Sequence, residues 1–184
     1  MTRLIEVASE IDGLFTIKKR IVGDNRGYLE RLYCIDELKS WSHRSISQIN
    51  KTYTAKSGTL RGLHFQYPPY AEAKFICCLR GSVLDFAVDM RKDSLTYGHT
   101  FALALEADAH NAVLLPEGVA HGFQTLTDDV EMLYIHSAPY NPESEAGVNI
   151  LDPYLKLPIC RANITMSDRD RSFPTFKEIG GLDI

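Results

Sequence analysis

Short runs rich in Val, Ile, Leu, Phe and Tyr recur between turn signals along this chain, and little of it carries a helical period. The runs are Leu14–Lys18, Tyr28–Cys34, Ile46–Asn50, Leu60–Gln66, Phe75–Leu79, Val83–Met90, Phe101–Leu105, Ala112–Leu115, Gly122–Leu126 and Val130–Ser137. Each has strand length and strand composition. Arg80-Gly81-Ser82 and Thr127-Asp128-Asp129 read as hairpin turns. Only Asp36–Trp41 and a segment from Ser167 read as helical, each opened by an N-cap residue. So many short strands with so little helix predict an all-β sandwich or barrel, whose mouth and interior would take a small ligand.

At 184 residues and 45% hydrophobic content the chain suits one core, so a single domain over 1–184 is expected. Past Tyr140 its character changes. Asn141-Pro142, Asp152-Pro153, Leu157-Pro158 and Phe173-Pro174 break it into short pieces, and from about 141 it is expected to wrap the barrel or a partner. A net charge of −4 argues against nucleic acid or a membrane surface as partner. Glu6, Glu10 and Asp12 without a long apolar stretch predict neither signal peptide nor membrane span. Cys34, Cys77, Cys78 and Cys160 lack metal-site spacing and read as buried free thiols in a reducing, cytoplasmic setting.

The run Gly58 to Gln66 holds a cation, a histidine and an amide. Alternation places Leu60, Gly62, His64 and Gln66 on one face and Arg61, Leu63 and Phe65 on the other. Glycines inside a strand predict a bulge or a close backbone approach, and a bulge would let Arg61 share a pocket with His64. His64 and the later Pro116-Glu117-Gly118-Val119-Ala120-His121 resemble the two short motifs of the cupin superfamily. Gln66 stands where metal-binding cupins carry a second histidine, and an amide is a poor ligand for a borderline metal. A reduced set of His64, Glu72 and His121 stays open, but the ligand count favours no metal, which frees His64 for proton chemistry.

Gly23-Asp24-Asn25-Arg26-Gly27, Gln48-Ile49-Asn50, Leu60 through Gln66 with its RGLHFQ, Ala73-Lys74, Val88 to Ser94, PEGVAHGF over Pro116–Phe123, Tyr134 and Ser167-Asp168-Arg169-Asp170 closely resemble the dTDP-4-dehydrorhamnose 3,5-epimerases. The similarity runs in order from about Leu14 to Pro174. It implies a cupin-like jelly roll with a few short helices and an extended N-terminal strand region. It also implies a homodimer that needs no cofactor and acts on a nucleotide-diphospho-sugar. Carried over residue by residue, His64 matches the general base and Asp170 the carboxylate paired with it. Lys74 matches the cation near the sugar's C4 oxygen, and Tyr134 the acid on the opposite face. Arg26, Arg61 and Arg169 would meet the diphosphate; Gln48, Asn50 and His121 match other pocket positions. In the family a Glu usually stands five residues after the first Arg; here Glu30 stands at four and Arg31 at five.

The chemistry suits these side chains. Inverting a carbon beside a ketone takes a base near neutrality, a fixed donor for the enolate oxygen, and an acid across the ring. Tyr134 faces the pocket if the face it shares with Val130, Met132 and His136 is interior. His43, His99, His110 and His136 read as surface or structural. The expected activity is inversion of C3 and/or C5 of a dTDP-4-keto-6-deoxyhexose. Its alternatives are a single-centre epimerase or ketoisomerase, a non-catalytic nucleotide-sugar-binding barrel, and a metal-dependent cupin oxygenase.

Overall fold

The computed structural model describes residues 2–41 and 43–184. In chain order the described residues form β1 (Leu4–Ala8), β2 (Phe15–Lys19), β3 (Val22–Asp24), β4 (Gly27–Leu29), β5 (Gln48–Thr54), β6 (Leu60–Gln66) and β7 (Lys74–Arg80). There follow β8 (Ser82–Asp89), β9 (Thr100–Glu106), β10 (Asn111–Leu115), β11 (Val119–Thr125), β12 (Val130–His136) and β13 (Glu145–Gly147). Two short helices, α1 (Asp168–Arg171) and α2 (Phe176–Ile179), lie near the C-terminus. A six-stranded sheet runs β1-β2-β10-β7-β12-β5 and a five-stranded sheet β13-β6-β11-β8-β9, while β3 and β4 pair only with each other. Every strand pair is antiparallel.

Apolar side chains are buried on three levels. Ile76, Cys78, Val83, Ala87, Val113, Phe123 and Met132 fill the space between the sheets. Phe75, Cys77, Leu114 and Ile135 point outward from the six-stranded sheet and are covered by Leu38 and Trp41. Leu63, Phe65, Phe86 and Val88 point outward from the five-stranded sheet, beneath Val148, Ile150, Leu155, Met166 and Phe176. The run Phe75-Ile76-Cys77-Cys78 is therefore apolar at every position because both of its faces are covered. These C-terminal residues pack on the outer face of the five-stranded sheet, and Arg169 and Asp170 of α1 reach the cavity.

Several local expectations are corrected. The links Arg80-Gly81-Ser82 and Thr127-Asp128-Asp129 are not hairpin turns: β7 and β8, like β11 and β12, belong to different sheets. Gly81 and Asp129, at φ of 77° and 56°, turn the chain from one sheet to the other. The expected strand Tyr28–Cys34 is ordered only as far as Leu29. Beyond it, Glu30 pairs with Lys19 at 2.6 Å and Arg31 pairs with Glu37, side-chain contacts in place of a ladder. Asp36–Trp41 holds a single 3-10 turn, Lys39–Trp41. Cys77 and Cys78 are buried on opposite faces, but Cys160 is exposed and Cys34 half-buried. Burial pushes the Cys77 thiol up to about 11, so it stays protonated and inert. No helix of the described residues is long and apolar enough to cross a membrane.

Candidate active site

A cavity of about 590 Å³ opens between the sheets. Alternation in β5 turns Gln48, Asn50 and Thr52 inward and leaves Ile49 and Tyr53 outside. In β12 the inner face is the mixed one, so Tyr134 and His136 line the cavity beside Val130 and Met132 of the core. On the opposite wall the register of β6 against β11 passes from His64↔His121 to Arg61↔Phe123. Three residues of β6 therefore span two of β11, which is a bulge, and it lets Arg61 and His64 both face the cavity. The close approach at Gly62 is to the neighbouring strand: a Cβ there would lie 2.6 Å from Gly122 Cα.

His64 Nε2 lies 2.8 Å from Asp170 Oδ1. The Gly62 N–H donates to Asp170 Oδ2 at 3.2 Å, and Ser167, capping α1, accepts from the Asp170 N–H at 3.0 Å. Burial pushes the Asp170 carboxyl up, but the bond and charge of His64, then the Gly62 amide and Ser167, outweigh it and hold the group below its ordinary value. The carboxylate thus keeps a hydrogen on Nε2 and leaves the Nδ1 lone pair free. Phe173 packs edge-on against the ring at 5.6 Å. Asp168, two residues before Asp170, is exposed in the first turn of α1.

Lys74 is buried at the start of β7. Its Nζ donates to the His64 carbonyl at 3.3 Å and lies 3.2 Å from Glu72 Oε1. The other Glu72 oxygen meets His136 Nδ1 at 2.8 Å. Tyr134 packs edge-on to His121 and stacks on His136, each 6.0 Å away. Burial drives its phenol well above the ordinary value and the charge of Asp85 adds to this, against the Thr52 hydroxyl and Arg61. Asp85 is fully buried, 2.7 Å from His121 Nε2, and its other oxygen has no partner among the described residues. Burial pushes the Asp85 carboxyl up; the charge and hydrogen bond of His121 oppose it.

At the rim, Arg169 pairs with Glu145 at 2.6 Å and Tyr140 donates to Glu145 at 2.7 Å. Arg61 Nε donates to Thr54 Oγ1 at 3.1 Å. The Gln66 amide is spent on loops: it donates to the carbonyls of Tyr70 and Pro139 and accepts from the Asn141 N–H. Among the described residues no three His, Cys, Asp or Glu side chains are gathered as a metal site. His64, Glu72 and His121 face separate partners.

Known proteins match this chain over most of its length. The family model for dTDP-4-dehydrorhamnose 3,5-epimerase matches residues 8–178. The chain belongs to this family. It is therefore an isomerase, a nucleotide-sugar epimerase with a cupin-like fold. A dTDP-4-dehydrorhamnose 3,5-epimerase of Sinorhizobium fredii is 33% identical over 169 residues, 89% of this chain and 85% of the relative. A dTDP-4-dehydrorhamnose 3-epimerase of Streptomyces niveus is 34% identical over 163 residues, 88% and 78% of the two chains. The crystal structure of the Bacillus anthracis 3,5-epimerase with TDP and PPi bound superposes with a TM-score of 0.89 at 34% identity, covering 94% of this chain and 99% of that one.

Nine of the ten residues singled out in the sequence, His64, Lys74, Tyr134, Asp170, Gln48, Asn50, Arg61, His121 and Arg169, line one cavity. Arg26 does not. It stands at the tip of the β3–β4 hairpin, its side chain 85% exposed and paired with Asp24. Glu72, which the sequence offers only as a metal ligand, and His136, which reads as surface or structural, both line the cavity. Asp85, Tyr140 and Glu145 were not singled out. For Asp85 a signal existed: a lone carboxylate inside the apolar run Val83-Leu84-Asp85-Phe86-Ala87-Val88 is costly unless partnered.

Proposed function

We propose that the enzyme inverts C3, C5 or both of a dTDP-4-keto-6-deoxyhexose through an enolate. The observation that carries this reading is the His64–Asp170 pair on one cavity wall with Tyr134 on the other. His64 Nδ1 takes the proton from a carbon flanking the C4 ketone, and the C–H electron pair moves into the ring as the enolate. Lys74 meets the charge that develops on the C4 oxygen, where a fixed cation stabilises the transition state more than the ground state. Tyr134 gives its hydroxyl proton to the other face of the carbon. A phenol with so high a pKa holds that proton until a strongly basic carbon calls for it, which suits an acid. Solvent then restores the phenol, and the imidazolium releases its proton. Proton transfer of this kind asks for neither a redox cofactor nor a metal.

Arg61 and Arg169 face the diphosphate, with Gln48, Asn50 and His121 completing the pocket. The TDP bound to the Bacillus anthracis relative supports a thymidine diphosphate handle. The Streptomyces niveus relative, named as a 3-epimerase, supports inversion of one centre as the second reading. Arg26 serves a second copy's cavity in a homodimer, and the enzyme works in the cytoplasm, where free thiols such as Cys160 persist. In deuterated buffer with dTDP-4-keto-6-deoxyglucose, NMR should show exchange at C3, C5 or both. No exchange at saturating substrate overturns the proposal, whereas His64→Asn should bind the sugar nucleotide without exchanging it.

A further inference from the structure

The six-stranded wall holds a third carboxylate-paired imidazole of the cavity. Glu72 Oε2 lies 2.8 Å from His136 Nδ1, while its Oε1 lies 3.2 Å from Lys74 Nζ. The His136, Glu72 and Lys74 side chains are only 11%, 8% and 8% exposed, yet all three line the cavity. Burial pushes the Glu72 carboxyl up, but His136 and Lys74 outweigh it and keep it ionised. Lys74 alone would neutralise that carboxylate. Its second oxygen instead fixes the hydrogen of the His136 ring on Nδ1, which leaves the Nε2 lone pair as the free end. No described residue hydrogen-bonds that nitrogen, and it is not among the polar atoms sealed away from solvent.

Strand register supplies the second observation. His136 stands opposite Lys74 on β7 and opposite Gln48 on β5, two residues along β12 from Tyr134 and on the same face. Directly opposed residues on paired strands sit close enough for their side chains to meet adjacent substituents of one ligand. If Lys74 holds the C4 oxygen, His136 is placed for a neighbouring carbon, and in a 4-keto-6-deoxyhexose C3 is the neighbour that carries a hydroxyl.

We infer that His136 contacts the substrate, accepting a hydrogen bond from the C3 hydroxyl at Nε2, and that Glu72 positions it together with Lys74. This deepens the epimerase reading and rests on it. Because the C3 hydroxyl changes direction when C3 inverts, a fixed acceptor for it sets how C3 competes with C5. His136 is then a specificity-determining residue for the number of centres turned over.

The test is site-resolved deuterium incorporation at C3 and C5, by NMR, in wild type, His136→Asn, His136→Gln and Glu72→Gln, each checked by its melting temperature. The two histidine variants should change the C3-to-C5 exchange ratio by about fivefold or more, the scale on which one lost polar contact alters discrimination. Glu72→Gln should shift the ratio the same way and also slow both centres, since Lys74 loses its partner. A folded His136 variant that slows both centres equally, or neither, overturns the inference. Wild type exchanging at neither centre would instead sink the epimerase reading.

Discussion

Three histidines reach this cavity and each is paired with a carboxylate, but the surroundings of the carboxylates differ. The Asp170 side chain is 7% exposed and the His64 ring 32%, so the pair touches the ligand space. Hydrogen bonds hold the Asp170 carboxyl low, and it remains an anion that orients the His64 ring. Asp85 is sealed, its carboxyl pushed up by burial, and its charge adds to the upward push on the Tyr134 phenol. Asp170→Asn should therefore lower kcat by about 10²–10⁴-fold, the usual range for losing assisted proton transfer, with little change in KM. It should also alter acid unfolding. A carboxyl whose folded pKa lies below its ordinary 3.8 contributes stability above that pH and loses it as pH falls through the folded value. The variant should show a flatter acid limb in a melting-temperature series, and an unchanged limb would contradict the assignment.

At the scale of the element, β6 is the part of the site that a sequence can specify. Gly62, at φ of 110°, sits where a Cβ would lie 2.6 Å from both Gly122 Cα and the His121 carbonyl oxygen, all of it backbone. Gly62→Ala should cost about 2–4 kcal/mol, from overpacking and backbone strain, and lower activity as His64 shifts. Chemical denaturation checks the first effect and the exchange rate the second. The bulge was legible because two glycines interrupt an alternating run that also holds an arginine and a histidine. The sheet assignment of β7 and β8 was not, since a glycine turn reads alike whether it joins neighbours in one sheet or crosses between two. β3 and β13 are not among the expected strands, because three residues leave little room for a period. Within the site, resemblance located His64, Lys74, Tyr134 and Asp170. The Glu72–His136 pair was half visible: alternation put His136 on the face of Tyr134, but nothing local links it to Glu72, sixty-four residues away.

For the whole molecule, two exposed apolar surfaces bear on the proposed homodimer. The β3–β4 hairpin pairs with no other strand among the described residues, and Val22, Tyr28 and Leu29 on it are 55%, 60% and 54% exposed. A lone two-stranded hairpin is at best marginally stable in water, so apolar side chains there favour a covering surface. β5 ends the six-stranded sheet with one edge unpaired and with Ile49 and Tyr53 exposed beside it. Two such surfaces on one chain can satisfy each other across a twofold axis, carrying Arg26 from one copy into the cavity of the other. If Arg26 acts in trans, Arg26→Ala and His64→Asn should each be nearly inactive alone. Mixed and allowed to exchange subunits, they should recover exchange activity, because the mixed dimer holds one cavity with both His64 and Arg26. If Arg26 acted on its own chain's cavity, every site in the mixture would lack one of the two groups. Mixing would then restore nothing, and sedimentation velocity on the same samples would show whether dimers had formed at all.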